Sequence, residues 1–210
     1  MKKINFIGMA ELKTEYILYI CKMLKEMKKC KVLLITDNVF FQGESKPYEY
    51  SSDIDLFVLS SEDDTKGIVN QFEYASYDYI IHDSQDSLGD IEYFNKVVVS
   101  DTFSHHINYA ASANEEIDHL LIMNLLSNSK ITPRFIQKKF NVKVENIIHF
   151  YLELKDRAIL IDNSYNNSLR VKNFSKVFKE SLTSLLMVIL QEENEEIVFK
   201  EIKKVWRNSK

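Results

Sequence analysis

Short apolar runs alternate along this chain with longer stretches in which apolar residues recur every three or four positions. The runs Ile4 to Ile7, Val32 to Ile35, Ile54 to Leu59, Tyr77 to Ile81, Lys96 to Val99, His119 to Met123 and Val144 to Phe150 are predicted strands. Runs this apolar suit parallel strands buried on both faces. From Glu11 the period changes: Leu12, Tyr16, Ile20, Met23, Leu24 and Met27 fall on one helical stripe, with Lys22, Lys25, Glu26 and Lys28 off it. Lys28, Lys29 and Lys31 close that helix, where cations suit its dipole. Further helices are predicted up to Tyr74, over His105 to Asn114, after Thr132 with Pro133 in the first turn, and over 153–161, 173–191 and 194–207. Residues 38–52 read as a loop broken by Gly43 and Pro47, and SQDSLGD after Asp83 as a second loop turning at Gly89.

Strands thus alternate with helices throughout. The expected class is α/β, a doubly wound and mostly parallel sheet flanked by helices. Neither a linker nor an internal repeat interrupts it. One domain is expected over residues 1–193, followed by a C-terminal amphipathic helix over 194–210.

Composition narrows the function classes. With 45% hydrophobic residues, the 210-residue chain can bury a substantial core. Four glycines and two prolines argue against an all-β architecture with many tight turns, and against a glycine-rich phosphate loop. A net charge of −4 without a long basic run disfavours direct, sequence-specific nucleic-acid binding. Cys21 and Cys30 read as reduced thiols. The first residues carry too short an apolar run for a signal peptide, and no run of eighteen apolar residues occurs, so a cytoplasmic protein is expected.

Ligands of doubly wound sheets bind beyond the carboxyl ends of the strands. Polar residues fall there in five places: Gly8 to Thr14, Thr36 to Asn38, Asp83 to Asp86, Ser100 to Thr102, and Asn124. Any loop after a buried strand is polar, which accounts for each place singly. The Lys13–Thr14 pair opening the first helix, together with an aspartate ending a later strand, suggests more. A phosphate loop aims backbone N–H groups at phosphates, a lysine adds charge, a hydroxyl binds Mg²⁺ and an aspartate on a neighbouring strand completes the metal site. Lys13, Thr14 and Asp83 fit those roles by position, Thr14 and Asp83 being the metal-side pair. The glycines do not fit: Ile7 and Leu12 stand where the loop pattern places them.

Taken along the whole chain, the order of segments resembles the ParA/MinD family of deviant P-loop ATPases (the SIMIBI class), and within it the divergent TadZ/CpaE-type localisation proteins. GMAELKT stands where that family has a loop like KGGVGKT. KVLLITDN stands for its KVLLIDAD, YDYIIHD for its YDYVIID, and VVVSDT for its next strand. LLIMN ends in Asn124, where the family commonly has an asparagine that contacts adenine. The resemblance implies ATP with Mg²⁺ as the ligand of Gly8, Lys13, Thr14, Asp37, Asp83 and Asn124, and a homodimer with protein partners in a larger assembly.

The departures are as informative. Gly8 replaces the lysine that reaches across the family's dimer. The loop glycines become Met9, Ala10 and Leu12. The family's catalytic aspartate falls at Thr36, which cannot act as a carboxylate base, and Asp37 comes one position late on a strand end whose residues alternate in direction. Fast hydrolysis is therefore not expected. The expected function is a non-catalytic scaffold or localisation factor for a bacterial machine such as a pilus or secretion apparatus, requiring no nucleotide. The alternatives are an unusual ATPase in which Asp37 serves as the base, and a peripheral membrane module.

Other polar groups read as structural. His105 and His106, adjacent on a helix, point about 100° apart and suit a surface or a cap rather than a bidentate metal site. His82 lacks a nucleophile beside it. Asp53 and Asp55 read as a solvated strand start, and Asp63 and Asp64 as a helix start. In the C-terminal helix, Ile197, Val198, Ile202, Val205 and Trp206 form an apolar stripe beside Lys200, Lys203, Lys204 and Arg207. Such a helix can lie in a membrane interface, so weak membrane association through 194–207 is one expectation. Packing on the domain or on a partner subunit is the stronger one, since Glu192, Glu193, Glu195 and Glu196 would repel anionic lipid.

Overall fold

The computed structural model describes residues 1–38, 41, 47–50, 54–60, 65–73, 77–86, 91–112, 118–125, 130–140, 143–166, 169–171, 173–191 and 195–208. Its centre is β1 (Lys2–Met9), flanked in parallel by β5 (Tyr79–Ser84) and β6 (Asn95–Ser100). Outward from β5 lie β2 (Val32–Thr36), β4 (Ile54–Val58) and β3 (Tyr48–Tyr50); outward from β6 lie β7 (His119–Leu125) and β8 (Ile147–Tyr151). Among the described residues, the eight strands run in the order β3-β4-β2-β5-β1-β6-β7-β8, and only β3 is antiparallel to its neighbour. This is the doubly wound, mostly parallel sheet expected from the sequence.

Helices cover both faces, because each central strand is apolar on both sides. Ile4 and Phe6 of β1 join the largest core cluster, with α1 (Lys13–Lys28), α5 (Leu154–Tyr165), α6 (Lys176–Leu190) and α7 (Glu195–Asn208). Ile7 of the same strand points the other way, into a cluster with α3 (Ser104–Ser112) and α4 (Pro133–Gln137). Leu33, Ile35 and Ile80 meet α2 (Thr65–Glu73) on that second side. Val198, Ile202 and Val205 of α7 are buried, and the helix packs against α1 and α6. Most of the C-terminal stripe therefore faces the domain core, with Trp206 packed against it, while Ile197 is exposed.

The structure corrects several local expectations. Residues 38–52 are not all loop: Tyr48–Tyr50 form the edge strand β3, with Tyr48 and Tyr50 packed on the core. The segment 144–150 begins with a 3₁₀ turn at Val144–Asn146 before β8 starts. Helix and strand do not alternate throughout, since no helix among the described residues joins β2 to β3, β3 to β4, or β5 to β6. α1 starts at Lys13 rather than Glu11; α5 runs on to Tyr165; α6 starts at Lys176, where Ser175 caps it by accepting from the Phe178 N–H. Thr132 does cap α4, accepting from the Phe135 N–H, with Pro133 in the first turn. Gly43, Asp53, Asp63, Asp64, Gly89 and residues 192–194 lie outside the described residues.

Candidate functional site

At the carboxyl end of β1 the chain turns into α1, and this turn floors a cavity of about 550 Å³. Gly8 stands where the turn begins, with φ 116 and its backbone against β6. A Cβ there would overlap the Val99 carbonyl oxygen, so only glycine fits. At the other end of the turn Leu12 precedes the helix with φ 62 and ψ 21, and no side chain caps the helix N-terminus. The left-handed conformation that a phosphate-loop glycine would adopt freely is thus held by a leucine, at a cost of about 1–2 kcal/mol. Packing of Leu12 on the main core offsets part of it.

Lys13 is the first helical residue and is buried. Its Nζ donates to the Gly8 carbonyl at 2.6 Å and the Ser84 carbonyl at 2.8 Å, and lies 2.8 Å from Asp83 Oδ1. The other carboxylate oxygen of Asp83, Oδ2, accepts from Thr14 Oγ1 at 2.6 Å and from Thr36 Oγ1 at 2.9 Å. Asn38 completes the ring, its Nδ2 donating to Thr14 Oγ1 at 2.8 Å and its backbone N–H to Thr36 Oγ1 at 3.1 Å. The Lys-Thr pair and the strand-end aspartate therefore do meet. Thr36 stands in the same network as a hydroxyl donor, where a carboxylate would have repelled Asp83.

Asp37 also faces the cavity, and its Oδ2 accepts from the Gln85 N–H at 2.9 Å. Burial raises its carboxyl above the ordinary value. Glu15, in the first turn of α1, is raised by burial too, with the Asp83 charge adding to the shift. Asn124 lies behind the turn and not on the cavity wall. It adopts φ 56; its Oδ1 accepts from the Tyr16 hydroxyl at 2.8 Å, and its Nδ2 donates to the Glu11 carbonyl at 3.0 Å. Both ends of that carboxamide hold the turn in place. Five of the six expected residues thus line the cavity, and the sixth braces it.

The sequence did not single out Asp101, although it lay in one of the polar strand-end segments. It is fully buried after β6. Oδ2 accepts from the Glu11 N–H at 2.9 Å, while Oδ1 accepts from the Phe103 N–H at 2.9 Å and sits 2.8 Å from His106 Nδ1. His105 is exposed and His106 half-buried, and both border the cavity, with ring centroids 4.1 Å apart. Neighbours on one helix still bring their rings together here, because Asp101 turns His106 inward. Asn38 and Gln85 also lay in polar strand-end segments but were not singled out, since each follows a strand end and carries no spacing signal.

The cavity is acidic in balance. Glu11, Glu15, Asp37 and Asp83 line it with one lysine, Lys13, and the two histidines. Glu11 is also paired with Arg157 of α5. Away from the cavity, His82 is buried against Tyr93, its Nδ1 2.9 Å from the Tyr93 hydroxyl. Burial pushes the imidazole down to about 4. Cys21 is buried and Cys30 half-buried, both as free thiols. Among the described residues, no group of three or more His, Cys, Asp or Glu side chains could hold a metal ion, and no helix is long and apolar enough to cross a membrane.

Neither a protein-family model nor a curated protein matches the chain. Solved structures do. A chain of the MinC:MinD cell division protein complex of Aquifex aeolicus superposes with a TM-score of 0.67 at 14% identity, covering 92% of this chain and 98% of that one. A plasmid partition protein from Borrelia burgdorferi bound to AMPPNP gives 0.62 at 14% identity, over 92% and 100%. The septum site-determining protein MinD of Pyrococcus horikoshii, complexed with Mg-ADP, gives 0.53 at 12% identity, over 97% and 95%. The fold is that of the MinD/ParA-type P-loop ATPases.

Proposed function

We propose that this protein is a non-catalytic relative of the MinD/ParA-type ATPases, a scaffold or localisation factor that positions a larger assembly through protein interfaces. The observation that carries this reading is the internal satisfaction of the phosphate-loop corner. Lys13 is bound to two carbonyls and a carboxylate of its own chain, and the Glu11 amide is held by Asp101. A triphosphate would have to displace these bonds and enter a cavity lined by four carboxylates. Thr14 and Asp83 fit a magnesium corner, but Leu12 fills the glycine position, so the turn does not fit the phosphates. Such a cavity suits a fixed structural surface, bound to a second subunit or a partner, better than a switch.

Calorimetric titration with ATP and Mg²⁺, alongside light scattering on a sizing column, tests the reading. No heat of binding and an oligomeric state indifferent to ATP are expected. A monomer that dimerises only with ATP would overturn it. The second reading, an unusual ATPase with Asp37 as the base, draws on the position of Asp37 on the cavity wall beside Lys13 and Asp83. It requires ATP turnover that Lys13→Ala abolishes, and activity unchanged by that substitution excludes it.

A further inference from the structure

α5 turns Asp156, Leu160 and Asn163 inward. Its opposite face departs from the amphipathic rule. Leu154, Ala158, Ile161 and Tyr165 follow one another at intervals of four, three and four residues, which places them on a single outward stripe. Leu154 is 85% exposed, Tyr165 86% and Ile161 37%, and Ala158 is exposed as well. An apolar stripe left in solvent along a whole helix marks an interaction surface. The stripe spans the whole helix, roughly 18 Å at the usual rise.

We propose that this face is a self-association surface, on which α5 of a second copy of the chain packs antiparallel across a two-fold axis. The charges beside the stripe choose that occupant. Lys155 and Asp162 stand seven residues apart and so share one flank. In an antiparallel pair related by a two-fold axis, that flank meets itself in reverse. Lys155 of each copy then faces Asp162 of the other, and the contact is self-complementary in charge. With the axis placed for that pair, Leu154 and Tyr165 of opposite copies lie about 3 Å from level along the helix, within contact at both ends. Ala158 meets Ile161 in the middle, where a small side chain lets the helix axes approach. A membrane is a poor occupant, because Lys155 and Asp162 edge the stripe with both signs of charge.

One helix pair buries less than the roughly 1,200–2,000 Å² of a stable complex, so the association is reversible and concentration-dependent. The proposal does not rest on the phosphate-loop corner being silent, and ATP with Mg²⁺ separates the two: heat of ATP binding would overturn the proposed function, while self-association through α5 is expected to be the same with and without nucleotide.

The test is sedimentation equilibrium of the full chain over a dilution series. Leu154→Ser and Tyr165→Ser, at positions too exposed to endanger folding, should each weaken the dimer about tenfold, which corresponds to about 1.4 kcal/mol. Lys155→Glu and Asp162→Lys should each weaken it about threefold, and the two together should restore it. Far-UV circular dichroism and the thermal midpoint should stay at the wild-type values. A chain that is monomeric at every concentration overturns the proposal, as does a dimer unaffected by Leu154→Ser and Tyr165→Ser. Vesicle co-sedimentation of a monomer that both serine variants abolish would assign the stripe to lipid and overturn it equally.

Discussion

The carboxylate of Asp101 accepts a hydrogen bond from the backbone N–H of Glu11 at 2.9 Å, and so links the end of β6 to the turn that opens α1. The same carboxylate holds the Phe103 amide and the His106 ring. Three donors converge on one fully buried acid, and removing it leaves them without a partner. Asp101→Ala should cost about 2–4 kcal/mol of stability, read as a fall in the urea midpoint. Asp101→Asn keeps the size and the acceptor oxygen, and should cost roughly half as much.

Gly8→Ala tests the other end of the turn. The added Cβ meets the Val99 carbonyl in the centre of the sheet, at a φ that side chains rarely adopt. Neither β1 nor β6 can yield, since each is paired on both sides. A loss of about 2–4 kcal/mol is expected, with a lowered thermal midpoint.

How far the chain could be read before folding depended on the physical origin of each signal. The central strands were legible because burial on both faces forces continuous apolar runs, as in Val32 to Ile35 and Val97 to Val99. β3 was not, because an edge strand of three residues carries polar Glu49 between two tyrosines and reads as loop. Lys13, Thr14 and Asp83 were legible as a set because each follows directly from a strand end or a helix start. Asp101 was not, because nothing local distinguishes a buried strand-end acid from a solvated one; only the approach of the Glu11 amide makes the difference. The outer stripe of α5 was hidden by its own inner face, since that face buries the polar Asp156 and Asn163 and so blurs the helical period.

α1 ends with Lys29 at φ 51 and ψ 40, a left-handed residue with an exposed side chain. Glycine adopts that conformation without strain, and helices commonly end on it. Lys29→Gly should therefore stabilise the protein by about 0.5–1 kcal/mol and raise the thermal midpoint by a few degrees. A lowered midpoint would mean that the Lys29 side chain contributes more than its backbone costs.

His82 makes the fold sensitive to acid. Its imidazole ordinarily titrates at 6.5, and burial holds it down to about 4 in the folded protein. Between those values the unfolded chain binds a proton that the folded chain refuses. The neutral ring's contribution is thus fully present above the ordinary value and drains away as the pH falls toward 4, to a total of roughly 3 kcal/mol. His119 and His149 are lowered by burial as well and act in the same direction. Glu15 and Asp37 oppose them: their raised carboxyls take up protons more readily folded than unfolded, which favours the fold on acidification below their raised values. Urea midpoints measured from neutral pH downward should fall steadily through the histidine range. His82→Gln should flatten most of that slope and leave the part due to His119 and His149. A wild-type slope preserved in His82→Gln would assign the acid sensitivity to those two residues instead.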